Sequence, residues 1–436
     1  MQINEERKLA ADSPPHQKFE ANDEVLGKLG YVVIDRTVNG RASGGVRFAP
    51  GVSVDEVASL ARSMTYKWGF LNIPMGGAKA GIFADPDQLG IDRGTLMEAF
   101  GRSIAPLVQQ QAYYPGIDLG TTLDDLLSIM SSAGRPLLGE QIDSSLCTAL
   151  TVFETIRQIV EVTNQDFKNM RVAVEGFGKV GSSLVELLSQ MGVNLVAVST
   201  EEGAIIQTNG LDGKLLLSLK KQYGDGLVHH YPDVECVQTS ELFIQTVDLL
   251  VPGARPHVIN MDNIDAVNAK WIVPISNVPI TREAEELLLE RGTVVIPDFV
   301  ANCGGILASN MLSMGFSVKD VQRLVERQFA KVVNRILQSA EMQGGLVREI
   351  SQALAWHNHL RLNDPDNFKQ KNVDRIMEVL NEQGVNGLWQ RFAWRIYRKW
   401  PSVNGVIRNA AVDQYGEWGL GETLKQFSST DMNVFS

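Results

Sequence analysis

MRVAVEGFGKVGSSLVELLSQMG, Met170 to Gly192, is the stretch whose reading decides the fold. A short apolar run, Val172 to Val174, leads into the turn Gly176, Phe177, Gly178, Lys179, Val180, Gly181. Val180, Leu184, Leu188 and Met191 then recur at the spacing of an amphipathic helix. Glycine-spaced turns are common by themselves; a strand before and a helix after are the context that a dinucleotide-binding turn requires. Gly176 permits the tight turn, Gly178 lets a pyrophosphate approach the backbone, and Gly181 lets helix and strand pack closely, with the phosphates resting on the helix N-terminus.

Working outward, Asn194 to Thr200 reads as the next strand, and it ends where an acidic residue commonly binds the adenine ribose. Here it ends in Ser199 and Thr200, with Glu201 and Glu202 just beyond. A carboxylate repels the 2′-phosphate of NADP and a hydroxyl does not, so NAD and NADP both stay open, with Glu201 near the ribose giving NAD the lead. Further on, SELFIQTVDLLVPGA and KWIVPISNVPITREAEELLLERGTVVIPDFVANCGGILAS repeat the alternation of short strand and helix expected of a doubly wound sheet.

A chain of 436 residues is long for one core, so two domains are expected. With 51 acidic against 40 basic residues the formal charge is −11, which argues against a general nucleic-acid binder. Cys147, Cys236 and Cys303 are far apart and odd in number, so neither a disulfide framework nor a metal site is indicated. The first twenty residues are polar and no 18-residue apolar run occurs; a cytoplasmic protein with no transmembrane segment is the expectation.

Before the dinucleotide turn, four segments carry chemistry. GGVRF starts at Gly44; Val54 to Phe70 has helical spacing and carries Lys67 near its end; PMGGAK runs from Pro74 to Lys79 and reads as a turn; PGIDLGTT runs from Pro115 to Thr122. Tyr31 to Val38 reads as a strand, Thr95 to Val108 as a helix, and Leu123 onward as another helix with Thr121 or Thr122 as N-cap. Lys67, Lys79 and Asp118 suit removal of an α-amino group by hydride transfer: a cation for the carboxylate, a lysine that exchanges protons and a carboxylate beside the amine. A lysine serves as acid or base only when burial or a neighbouring cation lowers its pKa. Read singly, Lys67 is also a cation well placed at a helix terminus and Asp118 an ordinary turn residue.

Together and in this order, the segments resemble the glutamate/leucine/phenylalanine/valine dehydrogenase family. The matches are Gly44, Gly45 and Arg47; Met64, Thr65 and Lys67; Pro74, Gly76, Gly77 and Lys79; and Asp118, Gly120 and Thr121. The resemblance implies NAD(P)-dependent oxidative deamination of an L-amino acid to a 2-oxo acid and ammonia, reversible as reductive amination. Lys67 would hold the α-carboxylate, Asp118 would take a proton from the α-ammonium, and Lys79 would assist water attack. In ISNVPITREAE, Asn277 takes the place of an asparagine near the cofactor ribose, with Ile275 and Ser276 replacing the family's Gly-Ala. Asn302 in ANCGG matches an asparagine that contacts substrate or nicotinamide. The full cofactor set is then Gly176, Phe177, Gly178, Lys179, Val180, Gly181, Thr148, Thr200, Glu201 and Asn277.

Substrate contacts are expected from Lys67, Ser43, Gly44, Gly45, Gly116, Asn302 and Ser309. Glutamate-specific members have a lysine where this chain has Ser43, and a serine cannot supply that charge; Ser309, in contrast, matches a serine that glutamate enzymes use. Gly116 leaves room for a larger side chain. A neutral amino acid is therefore favoured, with glutamate as the alternative and a nucleotide-binding regulatory pseudoenzyme as the rival of another class.

The resulting expectation is a two-domain α/β protein. Residues 1–22 form a flexible lead, 23–150 an α/β substrate and oligomerisation domain, 151–315 a Rossmann-type domain, 316–345 a helix returning to the first domain, and 346–436 a divergent helical tail. In the tail, Trp389, Phe392, Ile396 and Trp400 form an aromatic stripe amid arginines, read as a docked helix with membrane or partner binding as the other option. The resemblance implies a homo-oligomer.

Overall fold

The computed structural model describes residues 13–85, 89–137, 143–312, 316–341 and 346–363. The first sheet contains β1 (Gln17–Asp23), β2 (Gly27–Ile34), β3 (Ala42–Phe48), β4 (Gly76–Ile82) and β5 (Tyr113–Ile117) in the order β1-β2-β4-β3-β5. β2 runs antiparallel to β1 and β4, while β3 runs parallel to β4 and β5. The connections are α1 (Val54–Phe70) between β3 and β4 and α2 (Arg93–Gln109) between β4 and β5; α3 (Leu123–Ser132) follows β5. Ser53 caps α1 by accepting from Glu56 N, with Asp55 and Glu56 at the positive end and Lys67 in the last turn. Thr122 is the N-cap of α3, in a reciprocal capping box with Asp125.

Three local readings change. Pro74 to Lys79 is not a turn: Gly76 to Lys79 lies in β4, whose residues are all buried. The glycines serve packing, because a Cβ on Gly77 would lie 2.2 Å from Thr65 N and 2.4 Å from Ala61 O, so α1 rests directly on β4. β2 ends at Ile34, since Asp35 turns into a buried cluster with Arg62 (2.7 Å) and the Thr65 hydroxyl (2.6 Å). β1 also begins at Gln17, inside the expected lead; as an edge strand with only Ala21 buried it carries little hydrophobic signal.

The second sheet has seven strands, β6 (Arg171–Val174), β7 (Asn194–Thr200), β8 (Gly203–Ile206), β9 (Cys236–Val237), β10 (Val247–Val251), β11 (Ala269–Ile272) and β12 (Val294–Val295), in the order β12-β11-β10-β6-β7-β8-β9. β12, β11, β10, β6 and β7 are parallel; β8 and β9 add antiparallel pairs at one edge. α4 (Ser145–Val162), α5 (Lys179–Met191), α6 (Gly213–Tyr223), α7 (Ser240–Phe243), α8 (Arg282–Glu290), α9 (Asp298–Ala301) and α10 (Gly304–Leu312) accompany it. β6 has β7 on one side and β10 on the other, so the strand order reverses beside the Gly176 turn, where open α/β sheets form their ligand crevice.

α4 is one unbroken helix that packs on α5 and α10, and it runs through residue 150, where the sequence places the end of the first domain. The stretch from Phe316 is α11 (Val318–Leu324), a π-helical turn at Val325–Phe329 and α12 (Ala330–Glu341). α12 lies mainly against α4, where Asn334 donates to Gln158 at 2.7 Å. The main return to the first domain is made by α13 (Val347–Asn363), whose Asn358 donates to Gly69 O at 2.9 Å. Residues 364–436, with the aromatic stripe, lie outside the described residues.

The largest core cluster joins the domains. It holds Tyr66, Trp68 and Phe70 from the end of α1 together with residues of α4, β6, α10 and α12. Phe299 sits between, with ring centroids 5.1 Å from Tyr66 and 6.3 Å from Phe70. The C-terminal turn of α1, which carries Lys67, is thus anchored by both domains.

Candidate active site

Lys79 comes from the middle of β4 and Asp118 from the turn after β5, two strands that flank β3. Their side chains meet with Nζ to Oδ2 at 3.0 Å. Arg47, from β3 between them, donates its Nε to the same carboxylate at 2.9 Å and reaches Glu56 at 2.5 Å. Asp118 is held from behind as well, its N–H donating to the Thr121 hydroxyl, which donates to Val46 O. Burial works to raise the Asp118 carboxyl, but Lys79 and Arg47 outweigh it and keep the group below its ordinary range. Burial lowers the Lys79 ammonium, and Arg47 adds to that, against the opposing pull of Asp118. The result is a buried array in which two cations share one carboxylate and burial weakens the hold of Lys79 on its proton.

Lys67 enters from α1. Its ammonium donates to Asn277 Oδ1, which belongs to the second domain. Burial brings its pKa down to about 8; Asp298 opposes that shift and Lys79 adds to it. Asn277 also lies near Asn302, whose Nδ2 donates to Ser276 O at 2.8 Å and to Asn277 Oδ1 at 3.4 Å. The other amide atom, Asn302 Oδ1, is buried with no partner among the described residues. A buried acceptor left open beside a dinucleotide crevice fits the amide of a nicotinamide. Cys303, next in sequence, is pushed up to about 12 by burial, with Lys67 pulling the other way, and remains a thiol.

The glycine-spaced turn is built for close approach. Gly176 has φ +91°, and a Cβ on Gly181 would lie 2.0 Å from Gly176 O. Gly178 is the N-cap of α5, with open space where a Cβ would be, as a phosphate cradle needs. Glu175, just before it, bridges the switch point by accepting from Gly253 N (2.6 Å) and Ala254 N (2.8 Å). Burial raises its pKa against those two bonds.

Other expected residues are engaged elsewhere. The Phe177 ring is buried in the core and its N–H donates to Ser199 O, so it braces the turn and leaves no side chain for a cofactor. Thr200 donates its hydroxyl to Asp225 O at 2.8 Å, and Glu201 stands exposed in the next turn. Lys179 is exposed and pairs with Asp143 at 3.2 Å, while Val180 is half-buried. Thr148 faces the Asn302 loop: a Cβ on Gly305 would come within 2.8 Å of its hydroxyl. Ser43 donates to Tyr114 O at 3.0 Å, and Ser309, exposed, turns back on Gly305 O. Gly44 and Gly45 lie in β3 opposite Pro115 and Gly116, and Gly116 has open space beside it, with only Gly45 Cα near, at 3.9 Å.

Three residues of this site carry no role in the sequence reading: Arg47, Glu175 and Asp298. Arg47 lies two residues beyond Gly45 on the same strand face, while Glu175 and Asp298 are lone charges within apolar runs, a pattern that marks buried, partnered carboxylates. A cavity of about 640 Å³ opens on the flank of the cleft, between α1, α8 and α13, and includes Ser63 and Asp298 in its wall but neither Lys67, Lys79 nor Asp118. Among the described residues no helix is long and apolar enough to cross a membrane.

Comparison with known proteins agrees with this geometry. The family model for glutamate/leucine/phenylalanine/valine dehydrogenase matches residues 141–361, and that for the Glu/Leu/Phe/Val dehydrogenase dimerisation domain matches residues 17–134. The glutamate dehydrogenase of Thermotoga maritima is 32% identical over 348 residues, covering 75% of this chain and 83% of its own. The NAD-specific glutamate dehydrogenase of Staphylococcus aureus is 33% identical over 64% of this chain and 70% of its own. Among solved structures, the hetero-hexameric glutamate dehydrogenase of Thermus thermophilus in its leucine-bound form has a TM-score of 0.66 at 27% identity, covering 83% of this chain and 95% of that one. L-tryptophan dehydrogenase from Nostoc punctiforme shares the fold, with a TM-score of 0.57 at 24% identity over 83% and 99% of the two chains. The matches take in both sheets, the lysines and the dinucleotide turn, and the chain belongs to the glutamate/leucine/phenylalanine/valine dehydrogenase family.

Proposed function

We propose that this NAD(P)-dependent amino-acid dehydrogenase acts on a neutral L-amino acid, with Lys67 holding the α-carboxylate and the Lys79–Asp118 pair moving the protons. The observation that carries the reading is the disposition of charge. Asp118 already pairs with Lys79 and Arg47, which leaves Lys67 for the α-carboxylate, while Ser43 brings a hydroxyl committed to Tyr114 O where a side-chain carboxylate would need a cation. Gly116 leaves space on that side of β5.

The nicotinamide, when bound, supplies the hydride acceptor. The protein's own residues do the rest. The substrate carboxylate draws the Lys67 ammonium from Asn277 Oδ1, and that ion pair fixes Cα in the cleft. Asp118, kept ionised by its two cations, receives the α-ammonium. Because Lys79 lies 3.0 Å from it, a proton leaving the amine is shared by the pair as one coupled group. Lys79 then aligns water for attack on the iminium carbon and returns the proton to the departing ammonia. The Gly176 turn, Gly178 at the helix N-terminus and the open Asn302 Oδ1 are the residues that would hold the dinucleotide. Exposed Glu201 and Glu202 favour NAD over NADP by charge. Cytoplasmic localisation, a homo-oligomeric state and a domain division just before Ser145 complete the reading.

Glutamate is the second reading, favoured by the two curated relatives named above. The test is reduced-nicotinamide absorbance with NAD or NADP across a panel of L-amino acids, with Lys79→Ala alongside. Faster turnover of a neutral amino acid than of glutamate, abolished in the variant, is expected. Preference for glutamate would move the assignment to the second reading, and nucleotide binding without any turnover would favour a regulatory protein.

A further inference from the structure

Asp298 stands at the start of α9 with 5% of its surface exposed. Its Oδ2 accepts from the Ser63 hydroxyl at 2.8 Å and from Val278 N at 3.0 Å. Ser63 is one helical turn before Lys67 on α1, and Val278 directly follows Asn277. Lys67 and Asn277 are themselves hydrogen-bonded across the domains. The four residues and Asp298 therefore close a circuit, with one cross-domain bond at the reacting side and one bridging carboxylate behind it.

The circuit holds backbone that would not adopt this shape alone. Val278 has φ +48°, a left-handed conformation that a β-branched residue strongly disfavours and that persists only where its surroundings over-determine it. Here the surroundings are Asp298 on its N–H and His257, itself at φ +55°, whose N–H donates to Val278 O at 2.9 Å. The other end of the same helical turn carries Asn302, whose N–H donates to Asp298 O at 2.9 Å. Asp298 thus joins α1 and the Asn277 loop through its carboxylate and carries the helical turn leading to Asn302 through its main chain.

We propose that Asp298 is a positioning residue: it ties the two domains together behind the cleft and, through its charge and its hold on Val278, keeps Lys67 protonated and aligned with Asn277 until a substrate carboxylate takes the lysine over. The proposal rests on Lys67 being the carboxylate-binding lysine. The charged and titratable groups facing Lys67 are Asp298, Lys79, Cys303 and Asp118. Of these, Lys79 disfavours the Lys67 ammonium, Asp118 is already paired with Lys79 and Arg47, and Cys303 is a thiol, so Asp298 is the carboxylate left to support it.

The variants are Asp298→Asn, which keeps shape and one acceptor but removes the charge, and Ser63→Ala, which removes a cross-domain bond but keeps the charge. Two readouts are taken on the full-length protein: the pH profile of kcat/KM for the amino acid, and the pH midpoint of Lys67 acetylation by acetic anhydride, read by peptide mass spectrometry without substrate or nucleotide. In Asp298→Asn the acetylation midpoint and the basic limb should move to lower pH by about one unit, and KM for the amino acid should rise about tenfold. KM for the dinucleotide should hold. In Ser63→Ala the midpoint should hold while KM for the amino acid rises about threefold. An unchanged midpoint in Asp298→Asn would overturn the proposal; if that variant does not fold, an unchanged KM in Ser63→Ala would do the same. The acetylation midpoint does not depend on turnover, so a wild-type protein inactive on every amino acid would sink the functional reading and leave the electrostatic role of Asp298 decided separately.

Discussion

Lys79 Nζ and Asp118 Oδ2 lie 3.0 Å apart in a site where both side chains are shielded from water, and Arg47 bonds to the same oxygen. The carboxylate therefore answers to two cations at once. Lys79→Ala should retain dinucleotide binding and lose at least about 10²-fold in kcat, because the proton-transfer partner is removed while the phosphate cradle is untouched. Stopped-flow detection of reduced nicotinamide, beside a nucleotide titration, separates the two.

Asp118→Ala should do more damage to the fold than Lys79→Ala. It leaves Arg47 and Lys79 as neighbouring buried cations without their common partner, a change that costs about 3–5 kcal/mol. Urea unfolding at neutral pH measures it; a loss below about 1 kcal/mol would mean that the ion array contributes little to stability.

Lys67 ties activity to pH. Its pKa of about 8 lies below that of a free lysine because burial disfavours the ammonium. The cationic form binds the carboxylate, so kcat/KM for the amino acid should fall above about pH 8, the basic limb reporting the free enzyme. Stability runs the other way. Between pH 8 and about 10.4 the unfolded chain holds a proton that native Lys67 has released, so this group makes unfolding harder as pH rises through that window; below pH 8 its penalty is fully present. Lys67→Met should accordingly stabilise the substrate-free protein at pH 7, by about 3 kcal/mol at most, read as a rise in Tm.

Gly77→Ala tests the packing beneath Lys79. The added methyl would lie 2.2 Å from Thr65 N, and neither β4 nor α1 can withdraw without breaking the sheet or the helix. A loss of about 3 kcal/mol is expected from chemical denaturation.

Ser43→Lys tests side-chain specificity. A cation at this position on β3 supplies a charge-assisted contact to a side-chain carboxylate, so the ratio of kcat/KM for glutamate to that for leucine should increase about 10- to 100-fold. If wild-type protein already prefers glutamate and the substitution lowers that preference, the pocket takes its carboxylate elsewhere.

Much of this molecule is written locally. Met170 to Gly192 specifies a strand, a turn and a helix because apolar period, glycine spacing and helix entry agree within 23 contiguous residues. The α1 segment, Val54 to Phe70, is legible for the same reason, as are Asn194 to Thr200 and the Lys67, Lys79 and Asp118 set, whose segments keep a recognisable order along the chain. Tertiary structure decided the rest. Gly76 and Gly77 look like a turn until the sheet requires a strand that α1 can touch, and β1 becomes a strand only because β2 offers it a partner. Thr200 donates its hydroxyl to Asp225 O, a neighbour 25 residues away. Arg47, Glu175 and Asp298 acquire their partners from other elements, Ser63 reaching Asp298 across 235 residues. Local sequence carries propensity and periodicity over a few turns or strands; the charge state of a buried side chain depends on the water it has lost and the ions it has met, and only the folded chain sets those.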